Sequence, residues 1–230
     1  GLNLKSAFNN IKLTNSIYYN RRLFDGKLPF RNGGIIDLDK SFWGYKLNFE
    51  SENFIKYNIG FSYNNQNDHR KRFINDLGIK SDMVMNQFEK YENIGLYFFG
   101  SKNIGKLALS AGIRYDDNTI TMDNILISSF KISQKIKSTN PSFNLNYKFK
   151  NFDIFSNIST GYETPTLNEL SATIDQSGFN SDLTSVKSKS FEIGISNYQK
   201  LTRLKYNLRF FNILTENEIL PFESTTGQVL

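Results

Sequence analysis

A chain of 230 residues with 39% hydrophobic content is long enough for a folded domain and too apolar for disorder. Its 21 Phe, 12 Tyr and single Trp against four prolines favour long strands, and the absence of cysteine excludes disulfides, zinc ribbons and thiol nucleophiles. The net charge of +6 comes from scattered side chains rather than a basic stripe, which argues against nucleic acid as a partner.

Period-two alternation is the dominant signal along the chain. In 43–49, Trp43, Tyr45, Leu47 and Phe49 oppose Gly44, Lys46 and Asn48. In 55–63, Ile55, Tyr57, Ile59, Phe61 and Tyr63 oppose Lys56, Asn58, Gly60 and Ser62. The same split recurs at 107–115 (LALSAGIRY), 143–149, 152–162, 191–196 and 204–210. One face of these strands is almost purely large and aromatic, while the other carries Lys, Arg, Asn, Glu and Gly. Such a band matches the lipid-facing belt of a transmembrane barrel with a wet interior behind it. No apolar run approaches the ~20 residues of a membrane helix, and the opening GLNLKSAFNN has no apolar signal-peptide core.

The connections alternate in length. Short polar turns are predicted at 51–53, 101–106, 148–151 and 198–202, and long polar loops at 25–34, 64–86, 116 to about 140, and 163–187. Turns at one end and loops at the other are the asymmetry of outer-membrane barrels. Strand 152–162 leaves a short turn and so runs outward, with Ile154, Ile158 and Tyr162 expected toward lipid and Asn157, Ser159 and Gly161 inward. Pro165 stops the ladder, and Thr166 and Glu169 have the spacing of a capping box that starts a helical turn in LNELSA.

Here the residues carry a family resemblance. STGYETPTLNEL, LTSVKSKSFEIGIS and LRFFNILTENEILPF resemble the later barrel strands of TonB-dependent outer-membrane receptors, and LSAGIRYDD and NPSFNLNYKF are similar to two preceding strands. The resemblance is most specific from about 107 to 224 and rests on pattern before that. It implies an all-β fold: an antiparallel transmembrane β-barrel segment of about ten strands, part of a plugged barrel of about 22 strands. No plug domain, TonB box or terminal strand ending in an aromatic is visible, and STTGQVL reads as a turn. Residues 1–230 are therefore expected to be a partial receptor barrel without the N-terminal plug and final strands.

Candidate ligand-contacting residues lie in the predicted loops and interior. His69, Arg70, Lys71 and Arg72 form a cationic cluster suited to an anionic ligand or to lipopolysaccharide phosphates, against the bland reading of a solvated loop. A lone imidazole without cysteine lacks partners for a metal site, so no metal and no cofactor is expected. Asp68 beside His69 offers no catalytic constellation, because neighbours in a strand point to opposite faces. Asp116 and Asp117 are expected in a hairpin turn. Arg114, Lys148, Glu192 and Arg209 are expected to face the interior, where paired charges are also routine structure. Thr164, Thr166 and Glu169 are expected to shape the barrel mouth.

The resemblance implies a receptor that is not an enzyme. It would bind a scarce, large substrate at the bacterial cell surface and import it across the outer membrane with energy from the TonB complex, reached through the plug. A ferric siderophore or similar metal chelate is the expected substrate class, with cobalamin, oligosaccharide and peptide left open. The surroundings are lipid bilayer and lipopolysaccharide, with a surface lipoprotein left open. Two alternatives differ in class: a small self-contained barrel acting as adhesin or structural protein, and a soluble β-sandwich binding module.

Overall fold

In the computed structural model, residues 1–126, 130–171, 180, 182–197 and 205–220 are described. They form one antiparallel sheet in which every strand pairs with the next in sequence. Its strands are β1 (Leu2–Phe8), β2 (Ile11–Lys27), β3 (Ile35–Glu52), β4 (Lys56–Asp76), β5 (Ile79–Ile104), β6 (Leu107–Asn124), β7 (Phe130–Lys148), β8 (Asp153–Glu163), β9 (Val186–Asn197) and β10 (Tyr206–Glu216). A five-residue helix, α1 (Leu167–Ser171), follows β8. The sheet is a single layer, so the sandwich alternative fails. Among the described residues β1 and β10 do not pair, so the sheet is open and the self-contained ten-stranded barrel is not what forms.

The two faces have opposite chemistry. Ile59, Leu96, Phe98 and Ile113 stand 47, 49, 46 and 48% exposed on one face, whereas Asn93, Gln87, Asp116 and Asn118 on the other are almost inaccessible. With no second layer over β4 and β5, that inequality marks a convex apolar face and a crowded, concave polar face. It is the inverse of a soluble sheet, whose apolar face is the buried one. Aromatic neighbours knit the convex face: Trp43 with Tyr63 at 5.0 Å, Tyr45 with Phe61 at 6.2 Å and Phe49 with Tyr57 at 6.0 Å between ring centres.

The upper edge of the apolar belt crosses the hydrogen-bond rows diagonally. It is Ile94 on β5, Tyr115 on β6 and Pro141 on β7, yet Tyr115 pairs with Leu96 and Pro141 with Ile113. Each step falls two residues toward the short-turn end, as tilted barrel strands require.

Three expectations about connections are corrected. Segment 64–86 is not a loop but the upper part of β4 and β5, which pair to a two-residue turn at Leu77 and Gly78, both with positive φ. Segment 116–140 is likewise mostly strand, since β6 runs to Asn124 and β7 starts at Phe130; Asp116 and Asp117 therefore lie mid-strand and not in a turn. In 25–34, β2 continues to Lys27, leaving residues 28–34 as the loop. The expected turns at 51–53, 101–106 and 148–151 fall at strand junctions, with the β3–β4 link reaching residue 55. The expected turn at 198–202, Leu204 and STTGQVL lie outside the described residues. At 21 and 26 residues, β4 and β5 run about 70 and 85 Å at roughly 3.3 Å per residue, far beyond the ~10 residues that cross a bilayer.

Above the belt, the polar face acquires the protein's own apolar cluster. Ile120, Met122 and Ile136 are buried there by Leu170 of α1, with Tyr91, Ile132, Leu167 and Leu183 packed around them. The segment after β8 thus folds back over the concave face. Its helix is fixed by a reciprocal capping box, as expected: Glu169 N–H donates to Thr166 Oγ1 at 3.2 Å, and Thr166 N–H donates to Glu169 Oε2 at 2.7 Å.

Candidate ligand-binding site on the concave face

Register decides which charged residues meet. Arg22 of β2 lies opposite Lys40 of β3, Lys40 opposite Asp68 of β4, and Asp68 opposite Glu89 of β5. This row spans about 14 Å at ~4.8 Å per strand, and it sits on the concave face above the belt. Arg70 and Arg72 extend it two and four residues further along β4. The site holds four cations, Arg22, Lys40, Arg70 and Arg72, against two carboxylates, Asp68 and Glu89.

The carboxylates are committed to the wall. Arg70 Nε lies 2.9 Å from Glu89 Oε1, with Glu89 fully buried, and Gln87 Nε2 donates to the same oxygen at 2.9 Å. Gln66 Nε2 donates to Asp68 Oδ2 at 2.9 Å, leaving Asp68 Oδ1 buried without a partner. Burial raises the Glu89 carboxyl above the usual range against the pull of Arg70, and raises Asp68 against the pull of Lys40. Arg72 has no ion pair among the described residues, and its Nε is buried without a hydrogen-bond partner. Burial, then the neighbouring Arg70 charge, lowers its pKa. A half-buried guanidinium beside another cation is a site an anion would complete.

Of the residues singled out from the sequence, Arg70 and Arg72 meet here, on a strand rather than in a loop. His69 does not: by alternation it faces outward, stacking on Phe88 with ring centres 4.2 Å apart and contacting Asn86 Oδ1 at 2.8 Å through Nε2. Arg114 lies lower on the concave face, held by Asp116 through two hydrogen bonds of 2.7 and 2.6 Å. Glu192 and Arg209 form a concave-face ion pair at 3.2 Å. Lys148 falls on the same face by register, opposite Asp153. Thr166 and Glu169 are occupied by the helix cap, and Thr164 precedes buried Pro165.

Tyr162 was expected toward lipid, and this is corrected. The β7–β8 ladder ends at Ser142 and Ser159, which frees Tyr162 to turn inward; Asn118 Nδ2 donates to its hydroxyl at 3.0 Å. Asn118 also accepts from Tyr91 Oη at 2.7 Å and from Asn93 Nδ2 at 2.8 Å, closing a polar network across β5, β6 and β8. Arg22, Lys40 and Glu89 are site residues that sequence reading missed, because their convergence depends on cross-strand register. Among the described residues no three His, Asp or Glu side chains gather as a metal site.

An open antiparallel sheet with a convex aromatic belt and a concave charged wall is a segment of a transmembrane β-barrel. The chain belongs to the TonB-dependent receptor family: residues 1–229 match the family described as TonB dependent receptor-like, beta-barrel. Members of this family are transporters rather than enzymes. Among solved structures, the chain is similar to the ferric citrate transporter FecA in its unliganded form, at 15% identity and TM-score 0.75, covering 97% of this chain and 34% of that one. It is also similar to the siderophore receptor PiuA from Acinetobacter baumannii, at 16% identity and TM-score 0.69, covering 91% of this chain and 38% of that one. A third likeness is to the ferric yersiniabactin uptake receptor FyuA from Yersinia pestis, at 11% identity and TM-score 0.65, covering 92% and 34%. At these identities the likeness is one of fold, and the chain spans about a third of each of those structures.

Proposed function

We propose that this chain is part of the barrel wall of a bacterial outer-membrane receptor that takes up an anionic metal chelate, of the ferric siderophore class, with energy supplied through TonB. The observation that carries this reading is the concave-face excess of cations: Arg22, Lys40, Arg70 and Arg72 outnumber Asp68 and Glu89, and Arg72 makes no ion pair among the described residues. The names of the structural relatives, which include a ferric citrate transporter, a siderophore receptor and a ferric yersiniabactin uptake receptor, support the substrate class. The modest share of those relatives that the chain covers supports the reading that it supplies ten strands of a larger plugged barrel, with TonB contact made through the plug.

The test is calorimetric titration of the native protein, purified in detergent from its source membrane, with ferric citrate, a ferric tris-catecholate, cobalamin and a neutral oligosaccharide. The reading expects saturable binding of an anionic ferric complex, weakened at least tenfold by Arg72→Gln. Arg72 is the residue to change because its removal strands no carboxylate. Binding of cobalamin or oligosaccharide alone would overturn the substrate class.

A further inference from the structure

Arg72 lies under the loop between β2 and β3, and that loop is fastened down. Residues 28–34 close on themselves where Leu28 N–H donates to Gly34 C=O at 2.7 Å. One residue at the end of β4 then ties them to the β4–β5 hairpin. Asn75 N–H donates to Arg31 C=O at 2.8 Å, its Nδ2 donates to Leu28 C=O at 2.8 Å, and its Oδ1 accepts from Gly78 N–H at 2.6 Å. Lys27 Nζ donates to Gly78 C=O at 2.7 Å, so loop and hairpin turn form one unit. This unit lays Gly33 on the stem of Arg72. Gly33 is buried, with φ +69°, and a Cβ there would stand 3.4 Å from Arg72 Cδ, 3.7 Å from Arg72 Cβ and 3.7 Å from Val84 Cγ2 of β5. The loop backbone thus covers the methylenes of Arg72 and closes off Nε, the one of its three guanidinium nitrogens that is buried without a hydrogen-bond partner. Arg70 beside it is fixed by Glu89, which also neutralises it. Arg72, which makes no ion pair among the described residues, is fixed by packing and keeps its charge.

We infer that Asn75 and Gly33 are positioning residues for anion binding: they hold the Arg72 side chain still before the ligand arrives and leave its two Nη atoms as the groups offered. The inference rests on the reading of Arg72 as the anchor for an anionic chelate, and adds how that anchor is set. An unrestrained arginine samples many rotamers, and a ligand that must select one of them binds more weakly. Packing the stem between Gly33 and Val84 makes that selection during folding. It also bears on specificity. With Nε covered, an anion meets the guanidinium through the Nη pair, a fork that matches paired oxygens such as those of a carboxylate or a deprotonated catechol. Glycine suits position 33 on two counts: its φ is positive, and a larger side chain would wedge between Arg72 and Val84 and lift the loop.

The test uses the native protein in detergent, with one readout that needs no ligand and one that does. Phenylglyoxal labelling of arginines, followed residue by residue by peptide mass spectrometry, should modify Arg72 slowly in the wild type and roughly fivefold faster in Asn75→Ala and in Gly33→Val. Arg21, exposed on the opposite face, should label at the same rate in all three. Calorimetric titration with ferric citrate and with ferric tris-catecholate should show binding weakened about two- to tenfold by either change, the worth of one side chain immobilised in advance. Neither change should weaken binding further in an Arg72→Gln background, where nothing is left to position. A loop with a purely structural role would add its effect to that of Arg72→Gln, and additive effects overturn the inference. Unchanged labelling of Arg72 overturns it as well, whatever the titrations give. If labelling responds but Arg72→Gln leaves the binding of both complexes intact, the loop holds Arg72 for another reason: the anchor reading falls, and the positioning role with it.

Discussion

The ring of Tyr97 on β5 fills the space left by the missing side chain of Gly60 on β4: a Cβ at Gly60 would sit 2.0 Å from Tyr97 Cζ. The hydroxyl continues across the gap and donates to Asn48 Oδ1 on β3 at 2.7 Å, so one side chain ties three strands. The same arrangement runs in the opposite direction beside it, where Tyr18 of β2 crosses Gly44 of β3 and donates to Asn64 Oδ1 of β4 at 2.5 Å. Glycine here makes room for an aromatic lying along the concave face.

Gly60→Ala therefore forces the Tyr97 ring aside and breaks its bond to Asn48. The expected cost is about 1–3 kcal/mol, typical of overpacking a filled site. It is read from the midpoint of heat-induced unfolding of the native protein on semi-native gels. The double variant with Tyr97→Ala is expected to show a smaller cost than the sum of the single changes, because the clash no longer exists.

Acidification should tighten anion binding. Burial raises both Glu89 and Asp68, so these carboxyls protonate at higher pH in the folded protein than in the unfolded chain. The stability tied to each is full below the ordinary carboxylate pKa and is lost as pH rises through the raised one. Lowering pH from neutrality removes negative charge from a site that keeps four cations. Titration with an anionic ferric complex whose own charge is constant over the range should show affinity rising toward acid, and Glu89→Gln should flatten that slope.

The two faces should respond oppositely to charge. Leu96→Arg places a cation in the middle of the apolar belt at an expected cost of about 2–4 kcal/mol, while Ser110→Arg on the concave face should be near neutral. Yield of folded protein in the outer-membrane fraction distinguishes them; equal yields would contradict the assignment of faces.

Leu170→Ala removes the residue that closes the apolar cluster over Ile120, Met122 and Ile136. A loss of about 2–5 kcal/mol at this position is expected to release the segment after β8. Limited proteolysis of the native protein should then cut near 164–171 while the belt strands stay protected.

The belt was legible because one face meets lipid and the other water, which writes period two into residues 43–49, 55–63 and 107–115. The strands above it were not. In 64–72 nearly every residue is polar, since both faces are wet, and a ladder held by backbone hydrogen bonds needs no side-chain alternation. Within β6 the apolar phase even switches, from Leu107, Leu109, Ile113 and Tyr115 toward lipid to Ile120 and Met122 toward α1. A reader following one phase loses the strand at Asp116. The capping box at Thr166 and Glu169 was legible because it is local, whereas Arg22, Lys40 and Glu89 became a site only through register.

Ile120, Met122, Ile136 and Leu170 give this molecule two storeys with different solvents as their adhesive. The lower storey is held by hydrocarbon outside it, so its cohesion depends on the amphiphile supplied; the upper storey withdraws apolar surface from water within the polypeptide, as a globular domain does. Stripping lipid should loosen the first and spare the second, and urea should act mainly on the second. Melting followed by calorimetry would then divide into an amphiphile-sensitive step with little heat-capacity change and a smaller step that carries it.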